Sequence, residues 1–186
     1  MNINKTTRLI LLVLLFVSGV VGGYFYFAKI IPGEKASEGL PGSSAGHEEL
    51  FSLRLYYPVE NHLQTEERRI PRKTGQITIA EAVVLEYLQG PSAGTPSYMP
   101  KDVKILGIYK GADRILYINL SDEFRRNFQG DAIAEFLLLK GLYESLISNV
   151  ENIQDVKVLL EGKEVETLGG HLYLLYPLKD IVSYEY

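Results

Sequence analysis

Hydrophobic and polar positions alternate most sharply between Arg114 and Phe124. Leu116, Ile118 and Leu120 fall on one side at period two, and Ile115, Tyr117 and Asn119 on the other. A run apolar on nearly both sides predicts a strand inside a sheet rather than at its edge. Val103 to Tyr109 is a second such run, and Lys110, Gly111, Ala112 and Asp113 between them carry turn chemistry, so the centre of the fold is predicted to be a β-hairpin. Ser121 and Asp122 then cap a helical turn that drops Phe124 back onto the sheet. Upstream, Phe51, Leu53, Leu55 and Tyr57 alternate with Ser52, Arg54 and Tyr56, which predicts a strand with one buried face ended by Pro58. Asn61 to Lys73 reads as a polar excursion holding a short strand, Glu67 to Arg72, that Pro71 confines to an edge. Downstream, Asp155 to Leu160 alternates with Val156, Val158 and Leu160 inward, and Leu172 to Tyr176 reads as the last strand.

The period changes twice. Over Thr78 to Pro91, Ala80, Val83, Val84, Tyr87 and Leu88 form one helical stripe, opened by a Thr78/Glu81 capping box and closed by Gly90 and Pro91. Over Asp131 to Val150, capped by Asp131, Phe136, Leu139, Leu142, Tyr143, Leu146 and Ile147 recur at helical spacing. Leu137 and Leu138 widen that stripe, which places the helix deep against the sheet or against a partner. The resulting order is β, short β, α, β, β, α, β, β. It predicts an α+β domain: a mixed, mostly antiparallel sheet with two helices packed on one face, preceded by an N-terminal transmembrane helix.

That transmembrane helix is predicted over Leu9 to Ala28, a run without a charge and about the length that crosses a bilayer core. A cleaved signal peptide would have a shorter apolar region and a small residue in place of Tyr26. Lys5 and Arg8 before the run, with an aromatic belt at Tyr24 to Phe27 after it, predict a single-pass anchor in the cell membrane, its N-terminus cytoplasmic and its C-terminal domain extracytoplasmic. Gly19 and Gly23 stand in GxxxG spacing, common in membrane helices and also a dimerisation signature. The organisation is thus a cytoplasmic tail over 1–8, an anchor over 9–28, a Gly-, Pro- and Ser-rich linker over 29–49, and a folded domain over 50–186.

Three of the 19 basic residues precede Ile30 and none of the 23 acidic ones does, which leaves 16 against 23 and a net charge of −7. That balance argues against a nucleic-acid binder. Cysteine is absent, which excludes disulfides, thiol catalysis and cysteine zinc sites. Thirteen tyrosines and no tryptophan predict many half-buried sheet positions.

No set of residues converges on a catalytic, cofactor or metal role. His47, His62 and His171 share no helix face. Gly42-Ser43-Ser44-Ala45-Gly46 has the spacing of a nucleophile elbow but neither the strand nor the helix that makes one work. Asp122 and Glu123 are adjacent on a helical turn and point apart, which the helix dipole explains. Arg68, Arg69 and Arg72, with Lys73, form a basic cluster with two readings: it solvates an edge strand, or it binds an acidic partner or an anionic cell-wall polymer. Arg54, Tyr56 and Tyr117 lie opposite the apolar sides of their strands. They are predicted either to contact a partner or to form cross-strand pairs.

Leu88-Gln89-Gly90-Pro91 at a helix end, Pro100 before Val103 to Tyr109, the run Ile118-Asn119-Leu120-Ser121-Asp122-Glu123-Phe124, and Glu161-Gly162 after a strand together resemble the GerMN domain, a family named for sporulation and germination proteins. The likeness covers most of Phe51 to Pro177. Asn119 departs from it, since the family often has Asp there, and this chain has room for one such domain where the germination protein carries two. The resemblance implies a non-enzymatic domain held outside a bacterial membrane, acting in sporulation, germination or envelope assembly through contacts with envelope proteins. A similarity to the ring-building domains of secretion systems implies self-association into higher oligomers.

Overall fold

The computed structural model describes residues 49–92 and 97–183, which lie in a compact unit spanning His47–Tyr186. The predicted tail, anchor and nearly all of the linker, with its GxxxG and G-x-S-x-G spacings and His47, lie outside the described residues. Among the described residues no helix is long and apolar enough to cross a membrane.

The domain is α+β. Its elements run β1 (Leu50–Val59), β2 (His62–Pro71), α1 (Gln76–Leu88), β3 (Ile105–Lys110), β4 (Ile115–Leu120), the single turn α2 (Glu123–Arg126), α3 (Ala132–Asn149), β5 (Asp155–Leu160) and α4 (Leu178–Val182). The predicted single sheet is two. β1 and β2 form an antiparallel hairpin, while β3, β4 and β5 form a mixed sheet in that order, antiparallel between β3 and β4 and parallel between β4 and β5. The central position of β4 matches its two-sided apolar pattern, and Leu116, Ile118, Leu120 and Phe124 are fully buried. α1 and α3 pack on each other and join the two sheets, α1 against β1 and β3, α3 mainly against β1 and also against β5. A core shared by both sheets and both helices follows.

The Ser121/Asp122 turn buries Phe124 as expected but has no side-chain cap, Ser121 Oγ accepting from Lys104 N instead, and four further sequence expectations change. The short edge strand is the ten-residue β2, paired along its whole length with β1 across a tight turn in which Glu60 takes φ 51°. Its polarity hid it, because the inward-facing positions carry Gln64, Glu66 and Arg68 before the buried Ile70. Pro58 does not end β1, which runs on to Val59. Arg54, Tyr56 and Pro58 face away from β2 at period two, so the missing N–H falls on the edge that has no strand beside it. The Thr78/Glu81 capping box is not formed. α1 begins two residues earlier behind Gly75, whose φ of 93° only glycine adopts freely, and this puts Thr78 inside the first turn. Leu172 to Tyr176 is not a strand: Leu174 is buried, but the segment is held by Leu174 N–H on the Glu166 carbonyl and by the Lys157 ammonium on the Leu175 carbonyl. The Asp131 cap is formed, its carboxylate accepting from Ala134 N at 2.9 Å. α3 lies deep, with Ala134 to Leu139 buried without interruption.

Candidate interaction surfaces

The free edge of β1 is closed by the C-terminal half of α3. Asn149 Oδ1 accepts from Arg54 N at 3.0 Å and its amide donates to Arg54 O at 2.6 Å, while Ser145 Oγ accepts from Tyr56 N at 2.9 Å. Two strand residues span about 6.7 Å and four helical residues rise about 6 Å, so side chains at i and i+4 match the edge spacing. One further turn back is Gly141, where an added Cβ would lie 2.3 Å from Tyr56 O, and the next strand position is Pro58, which has no N–H to satisfy. This places two of the predicted contact residues together. Arg54 is exposed and 4.0 Å from Glu67, and the Tyr56 hydroxyl accepts from Ser148 Oγ at 3.3 Å beside a cleft of about 480 Å³ lined by Arg54, Glu67, Ser148 and Asn149.

The structure separates the basic cluster. Arg68 turns inward and donates to Glu86 O at 3.2 Å, to Glu86 Oε2 at 3.1 Å and to Gly90 O, so it caps the C-terminal carbonyls of α1. Its guanidinium also lies 5.2 Å from the ring centre of Tyr57. Tyr57 stacks on Tyr87 with centroids 5.6 Å apart, donates to Glu86 O, and Tyr87 donates to Leu138 O at 2.7 Å. Burial pushes both phenols well above their ordinary pKa. Arg69 and Arg72 are exposed, and Arg72 pairs with Glu49. Of the three arginines, Arg68 is part of the core closure and the other two are surface charges.

Tyr117 sits on the other sheet. It pairs with Tyr109 across β3 and β4, the rings stacked at 5.6 Å and 10° apart, with Tyr109 47% exposed. Desolvation, with the Asp113 carboxylate beside it second, raises the pKa of the Tyr117 phenol. Cross-strand pairing is therefore realised for Tyr117, and its partner Tyr109 is the more open of the two.

A further cluster was missed by the sequence reading. Glu135, fully buried on α3, accepts from Leu168 N at 3.1 Å, Gly169 N at 2.9 Å, His171 N at 3.0 Å and His171 Nδ1 at 2.9 Å. Four donors fill the capacity of a carboxylate. The available signal was an acid inside Ala134-Glu135-Phe136-Leu137-Leu138-Leu139, where any buried charge must have partners. Among the described residues no group of His, Asp and Glu could hold a metal ion.

The segments that carry the family resemblance meet in space. Asn119 Oδ1 accepts from Gly162 N at 2.7 Å, Glu161 Oε1 accepts from Asp122 N at 3.1 Å, and Glu161 N donates to Leu120 O at 2.9 Å. Asn119 supplies here the acceptor oxygen that an aspartate would, so the departure keeps the bond. The model of the Germane family, described as sporulation and spore germination, matches residues 54–166. The chain belongs to this family, the GerMN domains. It is similar to a protein assigned as a lipoprotein in Clostridium perfringens, with 26% identity, a TM-score of 0.51, and 69% of this chain and 86% of that one covered. It also shares its fold with the tandem GerMN domains of the sporulation protein GerM from Bacillus subtilis, with 19% identity, a TM-score of 0.51, and 70% of this chain and 47% of that one covered. No curated protein matches the chain.

Proposed function

We propose that the chain is a non-enzymatic, membrane-anchored extracytoplasmic protein that works in sporulation, germination or envelope assembly by binding other envelope proteins. The observation that carries this reading is the outer side of β3 and β4, where Tyr109 and Tyr117 form a stacked pair outside the core while the same strands bury Ile108, Leu116 and Ile118 on the other side. Tyrosine pairs of this kind supply large contact area at low entropic cost. Arg54 and Tyr56 form a second, separate contact patch. The similarity to a protein assigned as a lipoprotein supports an envelope location. The anchor rests on the charge-free run Leu9 to Ala28.

Crosslinked membranes from cells making Tyr109→Ser/Tyr117→Ser should yield markedly less of the envelope proteins recovered with the unaltered chain, at equal expression. Equal recovery would overturn the assignment of this face. Alkaline phosphatase fused after Gly46 should be active, and a well-expressed inactive fusion would reverse the topology.

A further inference from the structure

The N-terminal half of α3, the β1–β2 turn and the segment after the glycine pair line a cleft of about 540 Å³ formed by Asn61, Ala132, Ile133, Phe136, Leu137, Lys140, His171 and Leu172. That volume falls in the range of small-ligand sites. Its walls are apolar, and Ile133 is 49% exposed at the rim. Three polar side chains stand among them: the exposed Asn61 of the β1–β2 turn, Lys140 and His171. Lys140 lies with its ammonium 5.3 Å from the Phe136 ring centre, and among the described residues no carboxylate approaches it within 4 Å. His171 is fixed by Glu135, whose Oε2 lies 2.9 Å from Nδ1, so Nε2 is the ring nitrogen left clear of that carboxylate. Glu135 has all its lone pairs occupied and acts as a positioning residue for the ring rather than as a ligand group.

We propose that this cleft binds the C-terminus of a polypeptide that ends in a bulky aliphatic residue. The complement of the lining is a ligand that offers an apolar body to Ile133, Phe136, Leu137 and Leu172, an anion to Lys140, and a backbone hydrogen-bonding group to His171 Nε2. A cleft of this size holds one or two residues. A carboxylate, a backbone hydrogen-bonding group and a bulky side chain within so short a span are what a chain end presents. The Lys140 ammonium supplies the positive charge that an anion would meet at this position. The site shares no residue with the Tyr109/Tyr117 face, and the two readings stand or fall separately.

The test uses the full chain in phosphatidylcholine nanodiscs and the fluorescein-labelled tetrapeptide Gly-Ser-Ala-Leu, as free acid and as C-terminal amide, followed by fluorescence anisotropy. The acid should bind saturably and at least about tenfold more tightly than the amide, the size of one charge-assisted hydrogen bond. An acid ending in serine should bind at least about tenfold more weakly than the leucine acid, since the aliphatic side chain is lost from the cleft. Lys140→Met should remove the difference between acid and amide with an unchanged melting temperature, and Tyr109→Ser/Tyr117→Ser should leave peptide binding intact. Absence of saturable binding, equal affinity for acid and amide, or an acid preference that survives Lys140→Met would each overturn the proposal.

Discussion

The two ends of α3 meet the rest of the domain differently. At the C-terminal end Ser145 and Asn149 face a strand edge, whose N–H and C=O groups recur at a spacing the helix matches every four residues, and the junction closes until Gly141 touches Tyr56. At the N-terminal end Glu135 faces an irregular loop whose N–H groups converge on one point, and a single carboxylate takes them all. A periodic partner is satisfied by periodic side chains and leaves the helix face closed. A convergent partner is satisfied by one side chain, and the neighbouring positions, Ile133 and Lys140 among them, are left lining a cleft.

The contrast can be broken most strongly at the convergent end. Glu135→Ala removes the acceptor of four donors, three of them backbone amides, and should cost about 3–5 kcal/mol by chemical denaturation, with amide exchange accelerated at Leu168, Gly169 and His171. A loss below about 1 kcal/mol would mean that the loop is held by other contacts, chiefly the Lys157 ammonium on Leu175.

At the closed end Gly141→Ala should cost about 1–3 kcal/mol, because the new methyl meets backbone at Tyr56 O and the Tyr87 hydroxyl at 2.8 Å, neither of which can move cheaply. The contact of α1 with the middle of α3, where the Tyr87 hydroxyl donates to Leu138 O, is tested by pH. The Tyr57 and Tyr87 phenols have folded pKa values raised above the ordinary 10, so their contribution is complete below pH 10 and is lost as pH rises beyond it, when the unfolded chain releases protons that the folded one keeps. Stability should fall above pH 10 by about 1.4 kcal/mol per pH unit for each tyrosine, and Tyr87→Phe should reduce that slope. Asn149→Ala, the mildest change, should cost about 1 kcal/mol and speed amide exchange at Arg54, whose N–H would then face water.

Much of this architecture was written in the order of side chains. The β3–β4 hairpin, the buried stripe of α1, the Asp131 cap and the depth of α3 follow from local periodicity, since a strand or helix buried on one side must repeat its apolar residues at its own period. The family segments around Asn119 and Glu161 were visible too, though their mutual hydrogen bonds were not. The length of β2 was hidden because Arg68 and Glu66 occupy inward positions, and a charged residue reads as exposed until the helix end it caps is known. The same holds for Glu135, for the division into two sheets, and for the separation of Tyr117 from Arg54 and Tyr56. Each depends on which segments distant in sequence come to share a boundary, and period, propensity and charge along the chain carry no term for that. Local pattern determined the elements and most of the core. Tertiary packing alone decided which polar groups were consumed in holding the fold, and so which ones are left to meet a partner.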